Sequence, residues 1–273
     1  MELWQTFYSW HDPVIFTIGK VSLRWYGFMY VTALLTGYLW GRKMILRGDW
    51  RGITLAEFET LFFWFVIGAV LGARLGYVFV YDDHRFYFLS HPWEIFNPFQ
   101  NEAIGISGLS YHGAIIGAIV ALRLFAKKRG FKLLFLLDLA AVSGSAGYFF
   151  GRVGNFLNVE LIGRETSMPW GVLYEGVLRH PSALYEAFLE GICVFLALLF
   201  LYKRRKFDGQ MMCLYAIFYT IARFIAEFFR EPDSQLGFFG VFTMGQILSA
   251  VLFAATLSVY FILRRQNEFR QNR

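Results

Sequence analysis

The chain has 273 residues, of which 57% are apolar, 20% aromatic and only 17% charged, against about 25% charged in ordinary soluble domains. That apolar excess is more than one soluble core of this length can bury, and with a mean hydropathy of +0.45 it fits a polytopic membrane protein. The formal charge of +6 has the sign of a nucleic-acid binder, but its distribution along the chain excludes that class.

The chain opens MELWQTFYSWHDP, without the basic start of a secretory signal. A helix crossing the hydrocarbon needs about 20 largely apolar residues. The pattern predicts seven spans, at 24–42, 58–80, 109–126, 133–151, 183–202, 211–229 and 239–263. The first is short, with Arg42 and Lys43 placed to snorkel at its end. The last carries no charge between Phe238 and Leu263. Cys193 and Cys213 fall inside apolar runs without CxxC or Cys/His spacing, so they read as buried packing residues and no metal or redox motif is expected. No internal repeat or low-complexity tract interrupts what reads as a single integral membrane domain, 1–273.

Basic residues set the orientation. They gather after span one (Arg42, Lys43, Arg47, Arg51) and after span three (Lys127, Lys128, Arg129, Lys132). They gather again after span five (Lys203 to Lys206) and after span seven (Arg264, Arg265, Arg270, Arg273). This alternation predicts an N-terminus outside and a C-terminus in the cytoplasm. The same blocks attract anionic lipid headgroups rather than nucleic acid. All six prolines (Pro13, Pro92, Pro98, Pro169, Pro181, Pro232) fall in segments this topology places outside. Long structured outer loops are where sites usually lie, so the outer face is the expected working face.

Ionisable residues inside spans are functional hypotheses, because each costs about 2.5–3.5 kcal/mol at a helix centre on insertion scales. Here Tyr26, Arg74, His112, Arg152, Glu186, Glu190, Arg223 and Glu227 all fall toward the outer ends of their spans. Tyr219, Arg223 and Glu227 are spaced by four and share a helix face. Two compatible readings stand: an Arg–Glu pair neutralising itself, or Arg223 facing an anionic ligand with Glu227 holding its guanidinium. Arg152 and Arg223, from different helices, would make a phosphate clamp. His112 reads as an interfacial residue or a catalyst, with Gly108, Gly113 and Gly117 thinning the helix beside it. Glu186 and Glu190 would balance Arg74 or Arg152. Asp138, toward the inner end of span four, reads as a structural partner.

GRVGNFLNVELIG (151–163) resembles the signature of the bacterial prolipoprotein diacylglyceryl transferases. The resemblance continues through LRWYGFMY (23–30), GARLGYV (72–78), SYHGAIIG (110–117), HPSALYEA (180–187) and YTIARFIAEFFREPD (219–233). It covers nearly the whole chain in order. Val153, Val159 and Ile162 occupy spacer positions, and Ala183 stands where some members have Gln. The resemblance implies an all-α, seven-span bundle in the bacterial inner membrane, working at its outer, periplasmic face. It implies transfer of the diacylglyceryl group of phosphatidylglycerol to the lipobox cysteine of a prolipoprotein, forming a thioether and releasing glycerol 1-phosphate. It also implies catalytic roles for His112, Arg223, Tyr219, Tyr26 and Glu227, and phosphatidylglycerol binding by Arg152, Asn155, Glu160, Gly163 and Arg223. No cofactor or metal is called for.

The chemistry agrees with the residues. The leaving phosphate ester gains charge, so fixed cations beside it favour the transition state over the ground state. The acceptor thiol needs a base or a cationic field, and His112 is the titratable candidate. A transporter would place polarity at the midplane in repeat-related broken helices. A seven-helix photoreceptor would need a lysine in span seven, which is missing, and a scaffold would leave the arginines unexplained.

Overall fold

The computed structural model describes residues 3–83, 85–99, 108–232 and 238–271. Met1, Glu2, Asp233 and Arg273, named above, lie outside them. The protein is mostly helical, and each of the seven expected segments carries a helix. Short helix α1 (Phe7–Trp10) and strands β1 (Val14–Ile18) and β2 (Val21–Arg24) precede α2 (Trp25–Leu46). Then follow α3 (Leu55–Val80), α4 (Arg85–Ser90), α5 (Tyr111–Arg129) and α6 (Leu133–Leu157). A hairpin, β3 (Val172–Tyr174) and β4 (Val177–Arg179), leads into α7 (Ser182–Glu186). A π-helical segment (Ala187–Cys193) continues α7 into α8 (Val194–Leu201). Then come α9 (Gln210–Ala226), hairpin β5 (Phe238–Phe239) and β6 (Phe242–Thr243), and α10 (Met244–Gln271).

Four helical stretches are long and apolar enough to cross a membrane: Leu55–Val80, Leu133–Leu157, Ser182–Arg204 and Met244–Gln271. Gln210–Ala226 is apolar but shorter. Leu248, Val251, Leu252, Phe261 and Ile262 on α10 are exposed, an apolar surface that suits lipid. The helices differ from the expected segments mainly at their ends. The fourth continues six residues past 151, so the signature begins inside α6 rather than after it. The seventh starts five residues after 239, because Thr243 caps α10 and the preceding residues form a hairpin. Of the two cysteines, Cys213 is buried as expected, but Cys193 lies on an exposed helix face.

The chain's packing divides into two compact units. In one, built on residues 42–136, α3 and α5 pack backbone to backbone. A Cβ on Gly72 would collide with the Gly113 carbonyl, and one on Gly117 with the Gly68 carbonyl, as in small-residue interfaces of membrane helices. A capping box between Thr54 and Glu57 starts α3. Ser110 caps α5, which ends on Lys127, Lys128, Arg129 and a left-handed Gly130.

Arg74 belongs to this unit. It is buried; its Nε donates to the Ile95 carbonyl at 2.5 Å, and its guanidinium lies 5.9 Å from the Tyr77 ring and 5.8 Å from Phe88. It therefore fastens the 3-10 turn Pro92–Phe96 to α3.

The second unit comprises residues 1–15, 24–41 and 137–273. Within it, α2 lies against α6, since a Cβ on Gly147 would strike the Ala33 carbonyl. Asp138 accepts from Gly209 N and Met212 N, each at 2.8 Å, and so caps α9. That is the structural role read for it.

Candidate active site

The second unit holds a network of buried ions on three helical elements. Tyr148, Arg152 and Asn155 follow one another along the end of α6 at helical spacing. Gly191 in the π segment lies against the Phe149 backbone, where a Cβ would sit 2.8 Å from Phe149 Cα. This close approach brings Glu186 and Glu190 to Arg152. π turns inside α-helices recur at functional sites, and this one contains Glu190.

Glu186 is the hub. Its Oε2 lies 3.0 Å from Arg152 Nη1, and its Oε1 lies 2.5 Å from Arg223 Nη1 and 3.3 Å from Arg230 Nη1. Glu190 meets Arg152 Nη2 at 3.1 Å and Arg223 Nη1 at 3.7 Å. Glu227, four residues after Arg223, pairs with its Nη2 at 2.5 Å. Behind Glu227, Thr243 Oγ1 donates to Oε1 at 3.0 Å. Gly245 gives the carboxylate room, since a Cβ there would stand 2.5 Å from Glu227 Oε1. The Tyr148 hydroxyl donates to Glu190 at 2.6 Å and accepts from Arg152 Nε at 3.0 Å and Nη2 at 2.7 Å. Tyr219 lies beside it, hydroxyl to hydroxyl at 3.5 Å.

The carboxylates sit deepest. Glu186 and Glu190 side chains are 0% exposed, whereas Arg152 is 18% and Arg223 14% exposed. The cations thus keep some accessible surface, while the carboxylates that hold them keep little or none.

After α6 the signature makes a strained turn. Val159 (φ 58) and Leu161 (φ 57) are left-handed, a conformation costing about 1–3 kcal/mol for such residues. Glu160 closes the turn by accepting from Asn155 Nδ2 at 2.8 Å and Asn158 Nδ2 at 2.5 Å. Phe156 is buried under the rings of Trp4, Phe7 and Tyr8.

The chain then runs extended between two neighbours. Arg164 N donates to Phe229 O, and His180 N to Arg164 O, both at 2.9 Å. Gly163 bridges to Arg230, and Glu165 to Arg179. A Cβ on Gly163 would run into the His180 carbonyl and stand 2.8 Å from Phe229 O. His180 itself is packed against Phe229 and bonded to the Tyr185 hydroxyl at 3.0 Å, and burial lowers its pKa.

The sequence-predicted residues therefore fall into groups. Arg152, Tyr219, Arg223 and Glu227 meet in one network with Glu186 and Glu190, and both carboxylates pair with Arg152. Asn155 and Glu160 form the adjoining turn, and Gly163 the crossing strand. Tyr26, on α2, donates to Tyr30 at 3.2 Å, and its carbonyl faces Gly154. His112, exposed at the second position of α5, belongs to the other unit and lies beside Tyr111.

Sequence reasoning missed Tyr148, Arg230, Thr243 and Gly245. A signal for Tyr148 was present: YFFGR (148–152) repeats the Y-x-x-x-R spacing of YTIAR (219–223).

Comparison with known proteins agrees with the motifs. The family model described as prolipoprotein diacylglyceryl transferase matches residues 13–262. The chain is 51% identical over 268 residues to a Campylobacter curvus protein named phosphatidylglycerol–prolipoprotein diacylglyceryl transferase, covering 97% of this chain and 98% of that one. Proteins of the same name from Aliarcobacter butzleri (49% identical; 97% and 98% covered) and Wolinella succinogenes (50%; 96% and 97%) are similar to it over the same extent. The chain is a transferase of the prolipoprotein diacylglyceryl transferase family.

Proposed function

We propose that this protein transfers the diacylglyceryl group of phosphatidylglycerol to the lipobox cysteine of prolipoproteins. One observation carries the site assignment beyond family membership. Two arginines from different helices are held by buried glutamates at their backs while remaining partly accessible themselves. That arrangement suits a lipid phosphate.

In the proposed reaction the cysteine sulfur attacks the glyceryl carbon bearing the phosphate. The C–O bond breaks as the C–S bond forms, giving a thioether and glycerol 1-phosphate. The phosphodiester has one negative charge and the leaving monoester gains more, so cations fixed in advance act mainly on the transition state. Arginine suits the task because it stays charged and offers planar N–H donors. Arg152 and Arg223 bind the phosphate, and Glu227 orients Arg223. Asn155 and Glu160 shape the turn beside the headgroup, with Gly163 securing its far end. Tyr219 and Tyr26 supply hydroxyls. His112 takes the thiol proton, or it holds lipid. The reaction as written requires no metal or cofactor.

The accompanying topology is a single seven-span domain in the bacterial inner membrane, N-terminus outside and C-terminus cytoplasmic, working on its periplasmic face. The alternating basic turns support it. A cysteine introduced between residues 165 and 170 should label from outside in intact cells; labelling only after lysis would invert the orientation.

The activity test is direct. Purified protein in detergent receives phosphatidylglycerol and a lipobox peptide, and mass spectrometry seeks the diacylglyceryl thioether and glycerol 1-phosphate. Absence of both beside an active control would end this reading.

A further inference from the structure

Tyr148 lies in the ion network but in none of the six motifs that resemble the family. Its hydroxyl has one proton and two lone pairs. The proton goes to Glu190 Oε2 at 2.6 Å, and the lone pairs receive Arg152 Nε at 3.0 Å and Nη2 at 2.7 Å. The Nε–Nη2 edge is the fork that a guanidinium ordinarily offers to a carboxylate or phosphate. Here a neutral oxygen closes it.

The other N–H groups of Arg152 can be followed in turn. Nη2 also reaches Glu190 at 3.1 Å, and Nη1 reaches Glu186 at 3.0 Å. Of the five N–H groups, the two on Nη1 have no hydrogen-bond partner among the described residues, Nη1 meeting Glu186 Oε2 as an ion pair without hydrogen-bond geometry. The phenol thus fixes the orientation of the guanidinium without adding an anion to a network that already holds three carboxylates.

The Tyr219 hydroxyl occupies a different place. Its hydrogen-bond partner among the described residues is Tyr148, at 3.5 Å, and not an arginine. The two Y-x-x-x-R pairs are therefore alike in sequence and different in geometry.

We propose that Tyr148 is a positioning residue for the transfer reaction: its hydroxyl closes the Nε–Nη2 edge of Arg152 and turns Nη1 toward the lipid phosphate. This rests on the proposed function, and wild-type turnover in the same assay tests that reading separately.

Tyr148→Phe keeps the ring, whose centroid lies 5.2 Å from the Arg152 guanidinium carbon, and removes the hydroxyl alone. With phosphatidylglycerol and a lipobox peptide, kcat per folded molecule should fall about 10–100-fold, by analogy with the outer partners that orient metal ligands. KM for the lipid should change by less than about threefold, since the loss falls on the transition state. In an Arg152→Lys background, where no fork exists to be closed, the same change should cost less than about threefold more.

Wild-type kcat in Tyr148→Phe overturns the proposal. So does an equal loss in both backgrounds, which would mark a general packing role. Should Tyr148→Phe fail to fold, 4-aminophenylalanine at position 148 keeps the ring and a donor but is a poor acceptor. It should also lower kcat, and wild-type turnover there would equally overturn the proposal.

Discussion

Replacing Gly163 by alanine decides between two accounts of that glycine: a backbone that approaches the lipid, or one that fits between two others. The structure gives the second a measurable consequence. The new Cβ would overlap the His180 carbonyl and crowd Phe229 O, and both obstacles are backbone, which cannot rotate aside. Overpacking of this kind costs about 1–3 kcal/mol. Relief requires parting the strand from its neighbours, at the expense of the Arg164 N–Phe229 O and His180 N–Arg164 O bonds. Each contributes about 0.5–1.5 kcal/mol, so the total is about 2–6 kcal/mol. At about 2–4 °C per kcal/mol for chains somewhat shorter than this one, the unfolding midpoint should fall roughly 5–20 °C. The assay is thermal unfolding in detergent followed by tryptophan fluorescence, with Gly151→Ala as control. Gly151 lies in the same signature, yet nothing is within 4 Å of a Cβ placed there. It sits inside α6, so alanine should leave the midpoint unchanged or raise it slightly. A Gly163→Ala protein with a wild-type midpoint and no activity would refute the packing argument and return Gly163 to direct contact with lipid.

Further outcomes follow from the same geometry. Arg152→Ala and Arg223→Ala should each fold but lose about 10²–10³ in kcat, by analogy with removing an oxyanion donor; full activity in either would remove the phosphate clamp. Thr243→Val removes the hydroxyl that donates to Glu227 at 3.0 Å. It should lower kcat about 10-fold, by analogy with the outer partners that orient metal ligands, with Thr243→Ser restoring it; failure of serine to rescue would separate Thr243 from Arg223. Gly117→Val in the α3–α5 contact should lower the unfolding midpoint, since its Cβ meets the Gly68 carbonyl and Gly72; an unchanged midpoint would show that the helices can part at little cost. His180, whose pKa is lowered by burial, binds its proton more readily unfolded. Its contribution should therefore be present at neutral pH and be lost as pH falls below about 6.5. A midpoint that drops equally from pH 8 to 5.5 in wild type and His180→Gln would dismiss that contribution.

The helices were legible because hydrocarbon thickness imposes a length and composition that every span must satisfy by itself. Their ends were less so. Arg152 looked like a terminator of span four because a charge next to an apolar run reads as a boundary. Yet α6 continues through Leu157, since the charge is met by Glu186 and Glu190, more than thirty residues away. Partners at that separation leave no mark in local composition. Tyr219, Arg223 and Glu227 were recognisable because they lie one turn apart on a single helix. Thr243 and Gly245, which complete Glu227, come from the cap and first turn of the next helix and carry no charge to draw the eye. Gly163 stood out only through the family resemblance, because its steric constraint comes from residues 180 and 229.

The balance of charge changes how the two arginines should be understood. Arg152, Arg223 and Arg230 face Glu186, Glu190 and Glu227, and those six formal charges cancel. Buried ion pairs are poor sources of stability, since desolvation consumes most of the attraction. Their retention in an apolar bundle is better explained by placement. A lone arginine in a lipid-facing helix would snorkel toward water; one fastened to two buried carboxylates keeps a fixed height and rotation. On the proposed reading, an arriving headgroup therefore meets N–H donors already aimed, rather than a pool of uncompensated positive charge. Little reorganisation is then needed when the leaving phosphate gains charge, and preorganisation of that kind is what lowers a barrier in a low-dielectric site. The expected clamp becomes a neutral, rigid donor array. Its catalytic effect depends on orientation, so the residues that orient it, Tyr148 and Glu227 among them, should influence turnover more strongly than lipid affinity.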